Sequence, residues 1–368
     1  MTKSIKYNTP NAERPFNELP LLPPDMVKIE TVKVLRQLVK SSVALAELKG
    51  LANTLPNPNI SLNAVILKEA RASSEIENVI TTQDKLYQAL STKSLQVDSA
   101  TKEVLRYKEA ALFGFELIQK KGFLNTNGII AIQKILEEDN AGIRKLPGTA
   151  LRNAATNKVI YTPPDDYDTI LRLMKNLEEY LNGQDEISPL VKMAIQHYQF
   201  ESIHPFYDGN GRTGRIINLL YLIMHGQLDG PILYLSAYVI NNKTDYYRLL
   251  QEVRTKGSWE EWVLYILKGI EVTANETIVQ IGFIRNLFAK TQELIKKEIP
   301  KSYNKELIEL LFEHPYSKIE YVIDRLHVSR ITASKYLKEL ERIGMLKSKQ
   351  VWKETLYVNT KLLELLKT

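Results

Sequence analysis

The 368-residue sequence contains no cysteine. This absence excludes disulfide bonds, thiolate metal sites and a cysteine nucleophile, and it fits a reducing compartment. No apolar run reaches the roughly 18 residues that a membrane span needs, so we expect no membrane partner. The first residues, MTKSIKYNTPNAERPF, contain no apolar stretch of the kind found in secretory signals. We therefore expect a cytoplasmic protein.

The composition is that of an ordinary globular protein, with 44% hydrophobic and 25% charged residues and enough length for two or three domains. The formal net charge of +6 fits either a nucleic-acid or phosphate partner or simply a solvated surface.

Apolar residues spaced by three and four predict helices over most of the chain. The predicted helices cover residues 31–52, 64–81, 101–120, 128–138, 168–181 and 189–203. One island, GTALRNAATNKVIYTPPDD, is not helical, and its KVIYT segment predicts a strand or hairpin. We divide the chain into an N-terminal helical region (1–100), a core (101–271), a connecting helix (272–302) and a C-terminal domain (303–368).

The densest chemistry lies in HPFYDGNGRTGR, residues 204–215, between an amphipathic helix and an apolar one. Glycines directly before a helix N-terminus let backbone N–H groups close around an anion. Arg212 and Arg215 can both bind phosphate oxygens. Asp208 can hold Mg²⁺ together with substrate phosphates, and His204 can accept a proton from a hydroxyl. This combination predicts a phosphoryl- or nucleotidyl-transfer site.

The whole string resembles the signature of Fic-domain proteins, H-P-F-x-(D/E)-G-N-G-R-x-x-R, without departure. The resemblance implies an all-helical fold and transfer of AMP from ATP to a Ser, Thr or Tyr hydroxyl of a protein, the chain itself included. It also implies His204 as the base and Asp208 as the Mg²⁺ ligand. The implied ATP-binding residues of the loop are Gly209, Asn210, Gly211, Arg212, Thr213, Gly214 and Arg215.

Two further segments extend the resemblance. LRNAATNKVIYTPP stands where the family has a flap, whose strand edge can hold an extended target segment; a plain surface hairpin is the alternative. LYLSAYVINNKTDYYRLL resembles the segment that closes the adenosine pocket. Of the adjacent Tyr246 and Tyr247, we expect Tyr247 to face the nucleotide and Asn242 to bond the base or ribose. Core packing is the alternative role for both tyrosines.

SSEIEN (residues 73–78) fits the family's inhibitory pattern, (S/T)-x-x-x-E-(G/N), through Ser73, Glu77 and Asn78. On a helix over 64–81, Ser73 and Glu77 share one face. The resemblance implies that Glu77 restrains the site by pairing with Arg215. An ordinary exposed helix face is the alternative, and removal of AMP, with Glu77 positioning a water, is a further activity left open.

The C-terminal residues resemble a winged helix-turn-helix, with helices over 317–326 and 330–343 and two short strands around 349–353. From Arg325 to Lys361 there are nine Lys or Arg and three Glu residues. Arg330, Lys335 and Lys338 are candidates for contacts with DNA. Winged helices also dock proteins or form homodimers, so DNA, a protein and a second copy of the chain all remain candidate partners.

The sequence thus predicts an all-α Fic helical core with a small β-hairpin flap and a C-terminal winged helix-turn-helix domain. The predicted function is protein adenylyl transfer with a built-in inhibitory glutamate. Alternatives are AMP removal, transfer of another nucleotide and a nucleotide-sensing DNA-binding regulator.

Overall fold

A computed structural model describes residues 11–92, 97–153, 156–351 and 353–367. The first ten residues, residues 154–155 in the predicted flap and residue 352 between the predicted wing strands lie outside this range. Among the described residues, none of the helices combines the length and apolar character needed to cross a lipid bilayer.

The N-terminal part of the chain folds into helices whose starts are capped by short polar side chains. Thr31, Asn57 and Asp98 each accept a backbone N–H of the first turn that follows, as their residue types predict. The helices are α1 (Val32–Ala52), α2 (Pro58–Ile76), α3 (Gln83–Ser91), α4 (Ser99–Lys121) and α5 (Thr126–Glu137).

The central part contains a two-stranded hairpin and the most deeply buried helices. Strand β1 (Leu151–Arg152) pairs antiparallel with β2 (Val159–Tyr161). The helices that follow are α6 (Tyr167–Asn182), α7 (Pro189–Ile203), α8 (Asn210–Met224), α9 (Leu235–Asn241), α10 (Lys243–Lys256) and α11 (Trp259–Glu298). Helix α7 is buried on every side from Leu190 to Ile203, and α8 packs beside it. The loop between these two helices is therefore anchored in the centre of the core.

The C-terminal part is a small unit of helices on a three-stranded antiparallel sheet, with strand order β3-β5-β4. Its elements are α12 (Lys305–Glu313), β3 (Tyr316–Ser317), α13 (Ile319–Leu326), α14 (Arg330–Arg342), β4 (Lys347–Val351), β5 (Glu354–Val358) and α15 (Thr360–Lys367). His327, in the left-handed conformation with φ 52°, makes the tight turn between α13 and α14. The predicted helical fold with a small hairpin, a helix-turn-helix and a wing hairpin is confirmed.

Three predicted elements have wrong boundaries. Helix α2 begins at Pro58 rather than residue 64, after the capping residue Asn57, and ends at Ile76 rather than residue 81, because Asn78 takes a left-handed conformation with φ 64°. The predicted connecting helix begins at Trp259, so it continues the last core helix without a break. Helix α13 begins at Ile319 rather than residue 317, because Ser317 pairs with β5.

Candidate active site

The loop between α7 and α8 is shaped by its own backbone and by one amide. His204 ends α7 in the left-handed conformation, with φ 50°, and its N–H donates to the Phe200 carbonyl at 2.9 Å. The Asn210 side chain accepts from the Phe206 N–H at 2.9 Å and donates to the Phe206 carbonyl at 2.8 Å. Asn210 therefore uses both ends of its amide to close the loop.

The glycines bring backbone and acidic side chains together at the start of α8. Gly209 has φ 76°, a conformation that disfavours a side chain, and it precedes the first helical residue. A side chain on Gly211 would collide with the Glu77 carboxylate, which therefore lies against the first turn of α8. The first turn is the end of a helix that favours negative charge.

Thr213 and Gly214, also predicted to bind ATP, lie on the inner side of α8. Thr213 is fully buried, and a Cβ on Gly214 would lie 2.8 Å from the Glu201 carboxylate on α7. Both residues thus pack α8 against its neighbours, and their contact with ATP stays a prediction.

The His204 imidazole is held in its neutral form. Burial lowers the pKa of His204 to about 4, and the positive charges of Arg144 and Arg254 act in the same direction. A neutral imidazole at physiological pH is able to accept a proton, which suits the predicted base.

Arg144 is a structural anchor of this loop that the sequence did not reveal. It is 1% exposed, and its Nε donates to the His204 carbonyl at 2.8 Å. Its Nη2 donates to the carbonyls of Ile203 and Pro164, the latter following the hairpin. One guanidinium therefore joins the end of α7, the catalytic loop and the flap. Its position in the segment after α5 carries no local signal.

The Asp208 side chain is exposed, and its carboxylate is bonded to the backbone of the loop. One oxygen of its carboxylate accepts the Gly209 N–H at 2.7 Å. Among the described residues, no cluster of three or more His, Cys, Asp or Glu side chains forms a ready-made metal site. A single carboxylate beside an anion site fits Mg²⁺, which takes one or two protein carboxylates together with substrate phosphates.

Arg212 is held by two acids rather than left open. It is 5% exposed, and its guanidinium contacts Glu103 at 3.0 Å and Glu137 at 2.9 Å. Neither acid was identified from the sequence, because both lie on other helices, α4 and α5. Phosphate binding by Arg212 stays a prediction, and these acids are its present partners.

Arg215 joins the two predicted inhibitory residues. Its Nε donates to Ser73 Oγ at 2.7 Å, and its Nη2 donates to the Ser73 carbonyl at 2.9 Å and to Glu77 Oε1 at 2.8 Å. Burial opposes both charges, yet the Glu77 carboxylate raises the pKa of Arg215, and Arg215 lowers the pKa of Glu77. Both groups are therefore charged at neutral pH and paired.

Two neighbours set the position of Glu77. The left-handed Asn78 ends α2 immediately after it, which explains physically why Gly or Asn suits that place in the pattern. Lys243, at the start of α10, donates to the Ile76 carbonyl and adds a positive charge near Glu77. Lys243 was not identified from the sequence.

The structure separates the two adjacent tyrosines of the predicted adenosine segment. Tyr246 is 2% exposed, and its hydroxyl lies 2.8 Å from His197 Nε2 in the core. Tyr247 is 45% exposed. Burial of the rest of its side chain and the nearby Glu77 charge raise the pKa of Tyr247, so this residue borders the site. Asn242 donates its side-chain amide to the Tyr238 carbonyl at 2.9 Å, at the junction of α9 and α10.

The predicted flap is fastened to the core beside the catalytic loop. The Tyr161 hydroxyl donates to the Ser202 carbonyl at 2.8 Å, and the Arg254 guanidinium lies 4.0 Å from the centre of the Tyr161 ring. On the N-terminal side, the Phe16 N–H donates to the Thr162 carbonyl at 3.1 Å.

Three family models match consecutive parts of the chain. Residues 35–116 match the Fic/DOC family N-terminal model, residues 123–222 match the Fic/DOC family model, and residues 287–362 match the C-terminal domain of SoFic-like protein adenylyltransferase. The middle match contains the complete His204–Arg215 loop.

Curated relatives are similar over part of their length. The protein adenylyltransferase fic-1 of Caenorhabditis elegans is 31% identical over 31% of this chain and 22% of its own. The probable protein adenylyltransferase aq_aa38 of Aquifex aeolicus is 38% identical over 19% of this chain and 21% of its own. The chain thus spans less than a quarter of either relative.

Solved structures share the fold. A Fic family protein from Desulfovibrio desulfuricans G20 has a TM-score of 0.59 at 20% identity, covering 92% of this chain and 98% of that one. Fic-1 from Caenorhabditis elegans has a TM-score of 0.52 at 20% identity, covering 68% of this chain and 74% of that one.

Proposed function

Since the chain belongs to the Fic/DOC family, we propose that it is a protein adenylyltransferase that transfers AMP from ATP to a hydroxyl of a protein, itself included. The observation that carries this proposal is the common position of His204, Asp208 and the start of α8 around one loop. A base, a metal carboxylate and an anion site are the three parts that nucleotidyl transfer needs.

The proton transfer rests on His204. Because its pKa is lowered to about 4, the ring is neutral at pH 7 and accepts the proton of the incoming hydroxyl. The hydroxyl oxygen forms a bond to the α-phosphorus as the bond to the pyrophosphate oxygen breaks. The N-terminus of α8 stabilises the negative charge on the phosphates.

Mg²⁺ would be held by Asp208 together with the phosphates, and it would supply positive charge toward the departing pyrophosphate. The role of the chain in this step is to present the exposed carboxylate at the start of the anion site, where the Gly209 N–H orients it.

The same geometry supports a built-in restraint. Glu77 pairs with Arg215 and lies against the first turn of α8, so a carboxylate stands where a phosphate of ATP would bind. For ATP to bind with its γ-phosphate on Arg215, the carboxylate has to leave, because two negative groups cannot share this site without strong repulsion.

The target is a protein segment with a Ser, Thr or Tyr hydroxyl, held in extended form along the flap. The support for this is the antiparallel hairpin of β1 and β2 and its attachment to α7 next to His204. Backbone pairing with a strand edge does not depend on the side chains of the target segment. The modified residue is therefore the one whose hydroxyl reaches His204.

AMP removal is a second candidate activity of the same site. Glu77 supports it, since its side chain is 36% exposed beside the anion site and is able to orient a water. A pure nucleotide sensor with DNA-binding function is less well supported, because sensing needs no catalytic base.

Incubation with α-labelled and, separately, γ-labelled ATP tests the proposal, with the chain itself and a host lysate as acceptors. Label from the α position alone is the expected result. Label from the γ position alone would identify a kinase, and loss of α-label from pre-modified protein would identify AMP removal.

A further inference from the structure

The C-terminal unit presents a stripe of side chains along the outer face of α14. Ile331, Lys335, Lys338 and Arg342 follow one another at intervals of three or four residues, and all four are exposed. At about 1.5 Å per residue the stripe is roughly 16 Å long. Arg330 lies next to it at the start of the helix.

Two acidic residues of α14 accept hydrogen bonds from neighbouring residues. Glu339 accepts the Ser302 hydroxyl, and Glu341 accepts the Ser348 N–H at 2.8 Å. Glu339 borders the stripe, but its carboxylate is engaged by Ser302, so basic side chains predominate on the outer face of α14. Arg330 pairs with Glu320 at 3.0 Å, but exposed pairs of this kind are weak and exchange readily for a phosphate.

We propose that this face of α14 binds the major groove of duplex DNA. Helix α14 is the second helix of a helix-turn-helix, the element whose N-terminal residues reach base edges in such complexes. Lys335, Lys338 and Arg342 match the negative phosphates, and Ile331, which is 84% exposed at the start of the helix, suits contact with a thymine methyl group.

The test uses the full chain and a labelled duplex of about 25 base pairs of mixed sequence, followed by fluorescence anisotropy at low and moderate salt. We expect binding that weakens steeply with salt, and at least about a tenfold loss in Lys335→Glu/Lys338→Glu. The matched control is Lys301→Glu/Lys361→Glu, which makes the same charge change off this face.

Equal weakening by the stripe and control variants would overturn the proposal, because binding would then follow net charge alone. Absence of binding to any duplex would also overturn it. If the stripe variant instead blocked capture of a protein, α14 would be a protein-docking surface.

The C-terminal unit also packs against the N-terminal helices. Its core is continuous with α2, the helix that leads to Glu77: Ile60, Ala64 and Leu67 of α2 are buried in one cluster with Leu307 and Leu311 of α12. Helix α2 therefore packs both in the main helical core and against the C-terminal unit.

Helix α3, which follows Glu77 in the chain, is held by the C-terminal unit as well. The Tyr316 hydroxyl donates to Asp84, and Lys349 pairs with the same carboxylate at 3.6 Å. Ser91 donates to the Tyr316 carbonyl at 3.0 Å, and the rings of Tyr87 and Tyr316 are stacked. Glu77 thus lies between two helices that are both fastened to this unit.

We infer that the C-terminal unit holds the inhibitory glutamate in place, an inference that rests on the proposed function. The C-terminal unit packs on the start of α2, Glu69 in the middle of α2 is held by Tyr107 and Ser236, and Arg215 with Lys243 bind near its end. Glu77 follows the last residue of α2 and leads into α3, so loosening the hold of the C-terminal unit on α3 makes departure of Glu77 from Arg215 easier.

The test compares Tyr316→Phe/Lys349→Ala, which weakens the attachment of α3, with Ser302→Ala/Lys318→Ala, which removes a hydroxyl and a lysine contact within the C-terminal unit. We expect the first variant to raise AMP transfer about threefold to tenfold and to speed hydrogen exchange at residues 73–78. The control should do neither.

In a Glu77→Gly background the attachment variant should have no further effect on transfer, because the restraint is already absent. Unchanged transfer and unchanged exchange in the wild-type background would overturn the inference. If the Glu77→Gly chain transfers no AMP at all, the proposed function fails, and hydrogen exchange alone then decides whether the attachment holds α2.

Discussion

Arg215 donates a hydrogen bond to Glu77 across 138 positions of sequence, at 2.8 Å, and the same guanidinium is bonded to Ser73 twice. The buried guanidinium is thus bonded to the end of α2 through three contacts. Under the proposed function, access of ATP and stability of the fold therefore depend on the same contact.

The first prediction concerns release of the restraint. Glu77→Gly should raise AMP transfer and self-modification well above the wild-type level, because it frees Arg215 and removes the negative charge over α8. Glu77→Asp should raise them less, since a shorter carboxylate still repels phosphate. Transfer of α-label measures the effect, and Glu75→Gly serves as control, since it weakens the same helix end without touching Arg215. Equal activation by both glycine variants would refute the role of the carboxylate.

The second prediction concerns stability. Glu77→Gln should lower the free energy of unfolding by about 1–3 kcal/mol, because it leaves the buried Arg215 charge without its hydrogen-bonded carboxylate. Denaturant unfolding measures this difference, and ATP with Mg²⁺ should recover part of it by supplying a phosphate partner. A variant as stable as wild type and insensitive to ATP would contradict this account.

The third prediction concerns the base. In the Glu77→Gly background, His204→Ala should lower the transfer rate by about 10²–10⁴-fold while ATP binding is retained, because the phosphates are held elsewhere. His327→Ala, at the exposed turn before α14, is the control. If the His204→Ala variant transferred AMP at a near-normal rate, His204 would not be the base.

The fourth prediction concerns pH. Because the pKa of His204 is about 4 rather than 6.5, kcat/KM of the Glu77→Gly chain should not fall with a His-like transition near pH 6.5. Loss of the base should come only as pH falls toward 4. Burial raises the pKa of the nearby Glu201 to about 7, so the profile is also measured in Glu201→Gln. Arg254→Gln should move the acid limb to higher pH, and an unmoved limb would contradict the electrostatic cause.

The fold also responds to acid in the same window. The unfolded chain binds a proton on this histidine near pH 6.5, whereas the folded chain binds it only near pH 4, so its contribution to stability falls as pH decreases between these values. Glu201 contributes in the opposite direction, because its pKa is raised in the folded chain to about 7, so circular dichroism at each pH has to accompany the rates.

The fifth prediction concerns Arg144. Arg144→Met should lower transfer at least about tenfold and destabilise the fold by roughly 2–4 kcal/mol, since it leaves three buried carbonyls near the loop without their donor. Arg144→Lys should recover only part of either loss, because an ammonium cannot reach all three in the geometry of the fork. Arg172→Met, at an exposed position of α6, is the control and should change neither quantity.

Much of the candidate site was predictable because it is built from neighbours in the chain. The loop from His204 to Arg215 combines a helix end, a tight turn and a helix start, and each depends on local backbone preferences that residue types express directly. Asn78 is an exception, because it lies inside the predicted helix over 64–81, whereas its left-handed conformation ends α2 just after Glu77. The helices, the flap hairpin and the helix-turn-helix followed from periodicity and turn residues for the same reason.

Only the tertiary structure showed which distant residues meet these local elements. Arg144 is 60 positions from His204, Glu103 is 109 positions from Arg212, and Lys243 is 167 positions from Ile76. Nothing in the local sequence of Arg144, Glu103 or Lys243 distinguishes it from an ordinary surface charge. Packing alone brings these charges to the site, as it joins α2 to the C-terminal unit, because side-chain contacts between helices depend on how the whole chain buries its apolar faces.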